Sequence, residues 1–232
     1  KAKTEAAVSY HELSGVNILL AEDNVVNQLL ANDLISEWGA TIDIADNGEI
    51  AINKLRLKNY DLVLMDVQMP VVNGLEATEI IRNYSDKEIR SIPIIAMTAN
   101  AIKGENEKCL QAGMNDYIAK PFKEDEFLKK IAYWLNAEIS VKEEKEAVQI
   151  NDSGELYDLS GINAISRGNQ AFVQKMINLF CEQTPPMLKQ MKELYAEKNL
   201  EKMGTIAHKI KPSIDNLKIV SLKQVIRKIE KY

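Results

Sequence analysis

The chain has 232 residues, enough for one large or two small domains, and 46% of them are apolar, so a core can be buried. A formal net charge of −5 argues against nucleic acid as a partner, because binding a phosphate backbone needs concentrated Lys and Arg. No apolar run is long enough to span a membrane and no signal peptide is visible, while Cys109 and Cys181 form no CxxC pair, which together point to a cytoplasmic protein with ordinary thiols and no direct membrane contact. The first residue is Lys1 rather than Met, so the expectation is a piece of something longer.

After an N-terminal linker, residues 1–15, short apolar runs alternate with helical patterns across residues 16–137. The runs are Val16–Ala21, Ala40–Ala45, Asp61–Met65, Ile92–Met97 and Asp116–Ala119. Between and after them lie amphipathic stretches at Val25–Trp38, Gly48–Leu57, Gly74–Arg82, Gly104–Gln111 and Lys123–Leu135. Strands alternating with helices predict βα units and a parallel sheet. Consecutive apolar residues such as Leu62-Val63-Leu64-Met65 predict strands covered on both faces, hence a doubly wound α/β domain of five strands.

Residues 138–154 are charged and loop-rich and read as a linker. From residue 155 to 232 only helical patterns occur. Ala171–Lys198 carries Pro185-Pro186 at its middle, which should split or kink it. Leu200–Leu217 follows, and then a periodic pattern from Leu222 onward. Short connections predict an antiparallel helical bundle.

Four apolar runs end abruptly in polar residues. The first ends in Glu22-Asp23, the third in Asp66, the fourth in Thr98 and the fifth in Lys120. In an open parallel sheet ligands bind beyond the carboxyl ends of the strands, so all four ends converge on one edge. Crowded carboxylates call for a hard cation, and Mg²⁺ suits oxygen ligands and phosphate. Lys120 supplies a point charge for a phosphoryl oxygen, Thr98 a hydroxyl donor, and Asp66 a nucleophile that would form an acyl phosphate.

Four segments carry a family likeness across residues 16–137: Ile18-Leu-Leu-Ala-Glu-Asp-Asn, Leu64-Met-Asp-Val-Gln-Met-Pro-Val-Val-Asn-Gly, Pro93-Ile-Ile-Ala-Met-Thr-Ala and Asp116-Tyr-Ile-Ala-Lys-Pro-Phe. They resemble the receiver domain of two-component response regulators. The resemblance implies a flavodoxin-like sheet of order 2-1-3-4-5 with Asp66 as phosphoacceptor. It also implies Mg²⁺ held by Glu22, Asp23, Asp66 and the backbone carbonyl of Gln68. Thr98 and Lys120 would contact the phosphoryl group, Tyr117 would be an aromatic switch, and the Lys120–Pro121 bond would be cis.

The chain has two histidines, and His11 lies in the N-terminal segment. On an ideal helix Leu200, Met203, Ala207, Ile210, Ile214 and Leu217 form an apolar stripe, and His208 points well away from it. Gly204 and Lys211 share its side, which would leave an exposed imidazole beside a small residue and a cation. Ala207-His-Lys-Ile-Lys-Pro-Ser resembles the histidine phosphotransfer (HPt) domain, which implies that His208 is a second phosphoryl acceptor. Two departures stand out. Pro212 replaces the family's usual glycine, which predicts a local bend at His208. The bundle also counts one helix fewer than the family's, which would leave apolar surface open on its last two segments.

Domain order resembles the end of a hybrid sensor histidine kinase. That implies a kinase histidine domain upstream as phosphoryl donor and a response regulator receiver downstream as acceptor. Three other readings fit the residues less well. A kinase dimerisation domain would have an acid directly after the histidine, where Lys209 stands. An Asp-nucleophile phosphatase would have a second acid at position 68, where Gln68 stands. A degenerate receiver, acting as a non-catalytic regulatory or scaffold module, would lack site residues that are all present.

Overall fold

A computed structural model describes residues 13–98, 105–120, 124–137, 157–166 and 169–231. The chain divides into two compact units, Lys1–Lys142 and Glu143–Tyr232. The expectations for residues 1–12, for the segment 138–154 and for the Lys120–Pro121 peptide lie outside the described residues.

In the first unit the elements run β1 (Asn17–Ala21), α1 (Val25–Glu37), β2 (Thr41–Ala45), α2 (Gly48–Leu57), β3 (Leu62–Asp66), α3 (Gly74–Arg82), α4 (Lys87–Ser91), β4 (Ile94–Thr98), α5 (Glu105–Gln111), β5 (Asp116–Ala119) and α6 (Glu124–Leu135). The sheet is parallel throughout with order β2-β1-β3-β4-β5, the doubly wound, flavodoxin-like order expected. All five residues of β3 and of β4 are buried, as strands sandwiched between helices must be.

The pleat sorts the core into two layers. Leu19, Ala21, Val63, Met65, Ile94 and Ala96 join Ala51, Ile52, Leu55, Ala77, Ile81 and Cys109 from α2, α3 and α5 in one cluster. On α1 and α6 the buried residues include Leu30, Leu34, Phe127 and Ile131, and Trp38 meets Phe127 with ring centroids 5.5 Å apart. Arg82 closes this unit's polar seam. Its guanidinium donates to the carbonyls of Gly113, Arg90 and Ile92 and to Asn115 Oδ1 at 2.7–2.9 Å, so α3 is tied to the entries of β4 and β5. The short α4 had no apolar periodicity to announce it, since none of its residues is buried; Asp86 caps it instead.

The second unit is helical: α7 (Ser160–Ile165), α8 (Gln170–Ala196), α9 (Leu200–Asn216) and α10 (Val220–Ile229). Its core joins Met191 and Leu194 of α8, Met203, Ile206, Ala207, Ile210 and Ile214 of α9, and Ile226 of α10. The prolines split neither long helix. Pro185 and Pro186 do not divide α8, which runs 27 residues through them. Buried Phe172, Val173 and Met176 before the prolines and Met191 and Leu194 after them hold both halves to the bundle. Likewise α9 continues unbroken across Pro212, with Ser213 and Ile214 buried just beyond it. Leu200, placed in the apolar stripe by spacing, is 41% exposed, because it is the first residue of its helix.

On α10 the pattern Leu222, Val225, Ile226, Ile229 buries fully only Ile226, and Val220, Leu222 and Val225 remain exposed. Among the described residues no helix is long and apolar enough to cross a membrane.

Candidate functional site

The carboxyl edge of the sheet gathers the predicted residues because the register puts the strand ends level. Ala21 pairs with both Ala45 and Met65, Asp66 with Met97, and Thr98 with Ala119. One more bond carries each chain past its strand: Glu22 N donates to the Ala45 carbonyl at 3.0 Å, and Lys120 N to the Thr98 carbonyl at 2.7 Å. Glu22, Asp66 and Thr98 are buried at 1%, 3% and 2% exposure, unusual for the two acids on a surface edge.

Glu22, Asp23 and Asp66 each offer an oxygen within 4.8 Å of the others. Lys120 reaches into this cluster, its Nζ 2.5 Å from Glu22 Oε2 and 2.8 Å from Asp66 Oδ2. Burial opposes the Lys120 charge, but Asp66 and Glu22 more than offset it and hold the ammonium above its ordinary range. For Glu22 burial is the largest influence and pushes its carboxyl up; Lys120 opposes that and Asp66 adds to it.

Three carboxylates and one ammonium leave a formal charge of −2, which one divalent ion would neutralise. Adjacent oxygens around Mg²⁺ stand about 3 Å apart, given its octahedral bond length. The donor set is all oxygen and needs only a small closure, so the residues present fit that ion.

Local structure holds the cluster. Asn24 caps α1 by accepting from Val26 N and Asn27 N, while its own N–H donates to Glu22 Oε1 at 3.1 Å. Asn27 Nδ2 donates to the same oxygen at 3.1 Å. Gln28 Nε2 joins the Glu22 carbonyl, at 2.6 Å, to Asp46 Oδ1, at 2.9 Å. Gln68 approaches Asp66 through its backbone N–H, 3.3 Å from Oδ1. Gly74, the first residue of α3, presses on the Asp66 backbone so closely that an added Cβ would lie 2.0 Å from the Asp66 carbonyl oxygen. Tyr117 is half-buried against the cluster that contains Ala96, its partner across β4.

In the helical unit His208 is not the exposed imidazole expected. Its side chain is 26% exposed, and Nδ1 lies 2.7 Å from Glu230 Oε1. Lys211 Nζ contacts both oxygens of the same carboxylate at 2.8 and 2.9 Å. Burial works against the Glu230 charge, but His208 and Lys211 outweigh it and hold its carboxyl below the ordinary range. Gly204, one turn before His208, is buried.

Glu230 was missed in the sequence, yet a signal existed. His208, Lys211 and Asp215 follow one another at helical spacing on α9, as do Lys223 and Arg227 on α10 and Glu230 at its C-cap. Run antiparallel, these stripes pair Asp215 with Lys223 and Arg227, and His208 and Lys211 with Glu230.

Among known proteins, the family model described as the response regulator receiver domain matches residues 18–132. Hybrid signal transduction histidine kinase I of Dictyostelium discoideum is 43% identical over 119 residues, covering 49% of this chain and 7% of that protein. Signal transduction histidine-protein kinase BarA of Escherichia coli is 26% identical over 235 residues, 99% of this chain and 25% of that protein. The chain thus spans a quarter or less of these relatives' lengths. The receiver domain of sensor histidine kinase PA1611 from Pseudomonas aeruginosa, crystallised with a magnesium ion in its active-site cleft, is 42% identical, with a TM-score of 0.50 over 53% of this chain and 99% of that one. Through residues 18–132 the chain therefore belongs to the response regulator receiver family.

Proposed function

We propose that the chain is a phosphorelay module in which Asp66 accepts a phosphoryl group and His208 passes it on. The convergence of Glu22, Asp23, Asp66 and the Lys120 ammonium at one sheet edge carries this reading. The donor is a phosphohistidine of a kinase domain: its N–P bond breaks as an Asp66 carboxylate oxygen bonds to phosphorus, and the imidazole leaves with the electron pair. Glu22, Asp23 and Asp66, with the Gln68 carbonyl, would hold Mg²⁺, which when bound offsets charge on the phosphoryl oxygens. Lys120 moves from its two carboxylates onto a phosphoryl oxygen, and Thr98 donates its hydroxyl to another. Tyr117 follows the change at Thr98, its strand neighbour's end.

In the second step the free nitrogen of His208, Nε2, attacks the acyl phosphate. The O–P bond breaks, the Asp66 carboxylate is restored, and phosphohistidine forms. A receiver aspartate of a downstream response regulator then takes the group. The likeness to BarA extends over the helical unit, which favours this second step. Residues 16–137 act as receiver, 138–154 as linker and 155–232 as HPt domain.

Acetyl phosphate labelling tests the first step. The parent chain should gain an acid-stable, base-labile label that needs Mg²⁺, and Asp66→Asn should gain none. Undiminished base-labile labelling of Asp66→Asn would sink the assignment.

A further inference from the structure

Among the described residues the strand β5 forms the open edge of the sheet, because there it pairs only with β4. Asp116 and Tyr117 are consecutive on it, so their side chains lie on opposite faces. Tyr117 packs with the cluster formed by α2, α3 and α5. Asp116 meets α6 on the other side: Lys130 Nζ lies 2.7 Å from its Oδ1, and Trp134 Nε1 donates to its Oδ2 at 3.3 Å. The Tyr117 N–H donates to Asp116 Oδ1 at 2.7 Å as well. The same Lys130 ammonium stands 5.0 Å from the centroid of the Tyr117 ring. One cation therefore touches side chains of both faces, which is feasible only where no further strand covers the edge.

The geometry points to Lys130 as a positioning residue for Tyr117, a restraint that holds the ring in its present place until phosphoryl transfer displaces it. This rests on the reading of Tyr117 as the residue that responds to Asp66. Three features make the restraint specific. A cation is attracted to a ring face only within about 6 Å of the centroid, and Lys130 is inside that distance. Asp116 pins the ammonium, so the lysine does not lose its full rotamer freedom to make the contact. Trp134 and the Tyr117 N–H fix Asp116 in turn, so the anchor does not depend on Lys130. When Tyr117 turns away, Lys130 keeps Asp116 but loses the ring. The cost of that loss opposes the switch, and α6 is the element that registers it.

The test uses the full chain with ring-¹³C tyrosine, the Tyr117 resonance being assigned by its absence in Tyr117→Phe. In unphosphorylated protein Lys130→Met should move the Tyr117 resonance, by raising the displaced ring conformer roughly two- to five-fold. Lys130→Arg, which keeps both the cation and the carboxylate contact, should restore it. The Trp134 indole resonance should persist in Lys130→Met, showing that α6 stays docked. Acetyl phosphate with Mg²⁺ should shift Tyr117 in the parent toward the Lys130→Met position. A Tyr117 resonance unmoved by Lys130→Met, or moved as far by Lys130→Arg, overturns the restraint. If Asp66 takes no label while Lys130→Met still moves the ring, the phosphoryl reading fails and the contact stands.

Discussion

Glu22 illustrates how far burial changes the meaning of a residue. In the sequence it is half of an acidic pair after a strand, a pattern that commonly marks a helix cap. In the fold it is 1% exposed, and both oxygens are engaged: Oε1 by Asn24 N and Asn27 Nδ2, Oε2 by Lys120. Burial raises the Glu22 carboxyl above its ordinary range, and Lys120 opposes that rise. Glu230 makes the same point in the helical unit. Its carboxylate on Nδ1 makes Nε2 the nitrogen left for chemistry. Glu230→Ala is expected to reduce label appearing on His208 by about tenfold, a loss on the scale of one charge-assisted hydrogen bond, with Asp66 labelling unchanged. Quantifying acid-labile against base-labile label on one sample checks both.

At the scale of elements, close approach and capping determine which substitutions the site tolerates. The start of α3 lies against Asp66, with Gly74 N donating to the Val67 carbonyl at 3.1 Å. Gly74→Ala places a methyl 2.0 Å from a backbone oxygen that cannot move without moving Asp66. The expected result is a loss of about 3 kcal/mol or more in chemical denaturation, together with loss of labelling.

The start of α7 offers a pH test. Asp158 accepts from Ser160 N, Ser160 Oγ and Lys218 Nζ, and these contacts lower its pKa from 3.8 to about 2. Because the folded value is depressed, the stabilisation is complete above the unfolded value of 3.8 and disappears as pH falls through about 2. Asp158→Asn should flatten that acid limb in thermal melts. The change is small, since Asp158 is largely exposed to solvent screening.

At the scale of the whole molecule, the receiver unit has a core closed on both sheet faces, with α1 and α6 on one and α2, α3 and α5 on the other. Residues 13–137 alone are expected to fold with a cooperative melt and to take label at Asp66; calorimetry and acetyl phosphate on the excised domain would check this. A non-cooperative melt would mean that the helical unit completes its core. The helical unit is less closed, because Val220, Leu222 and Val225 of α10 stay exposed.

What the amino-acid order determined by itself was the receiver fold and the place of its site. Strands buried on both faces are apolar at every position, so each polar residue ending a run stands out, and parallel topology sends all those ends to one edge. Asp66, Thr98 and Lys120 were legible for that reason, and α2 and α3 were located to the residue. Tertiary structure alone decided the rest. Local pattern is silent about which side chains meet from separate elements. Lys120 on Glu22 and Lys130 on Tyr117 are contacts of that kind. Pro185 and Pro186 leave α8 undivided for a related reason: a missing hydrogen bond is a local cost, and flanking core contacts along 27 residues outweigh it.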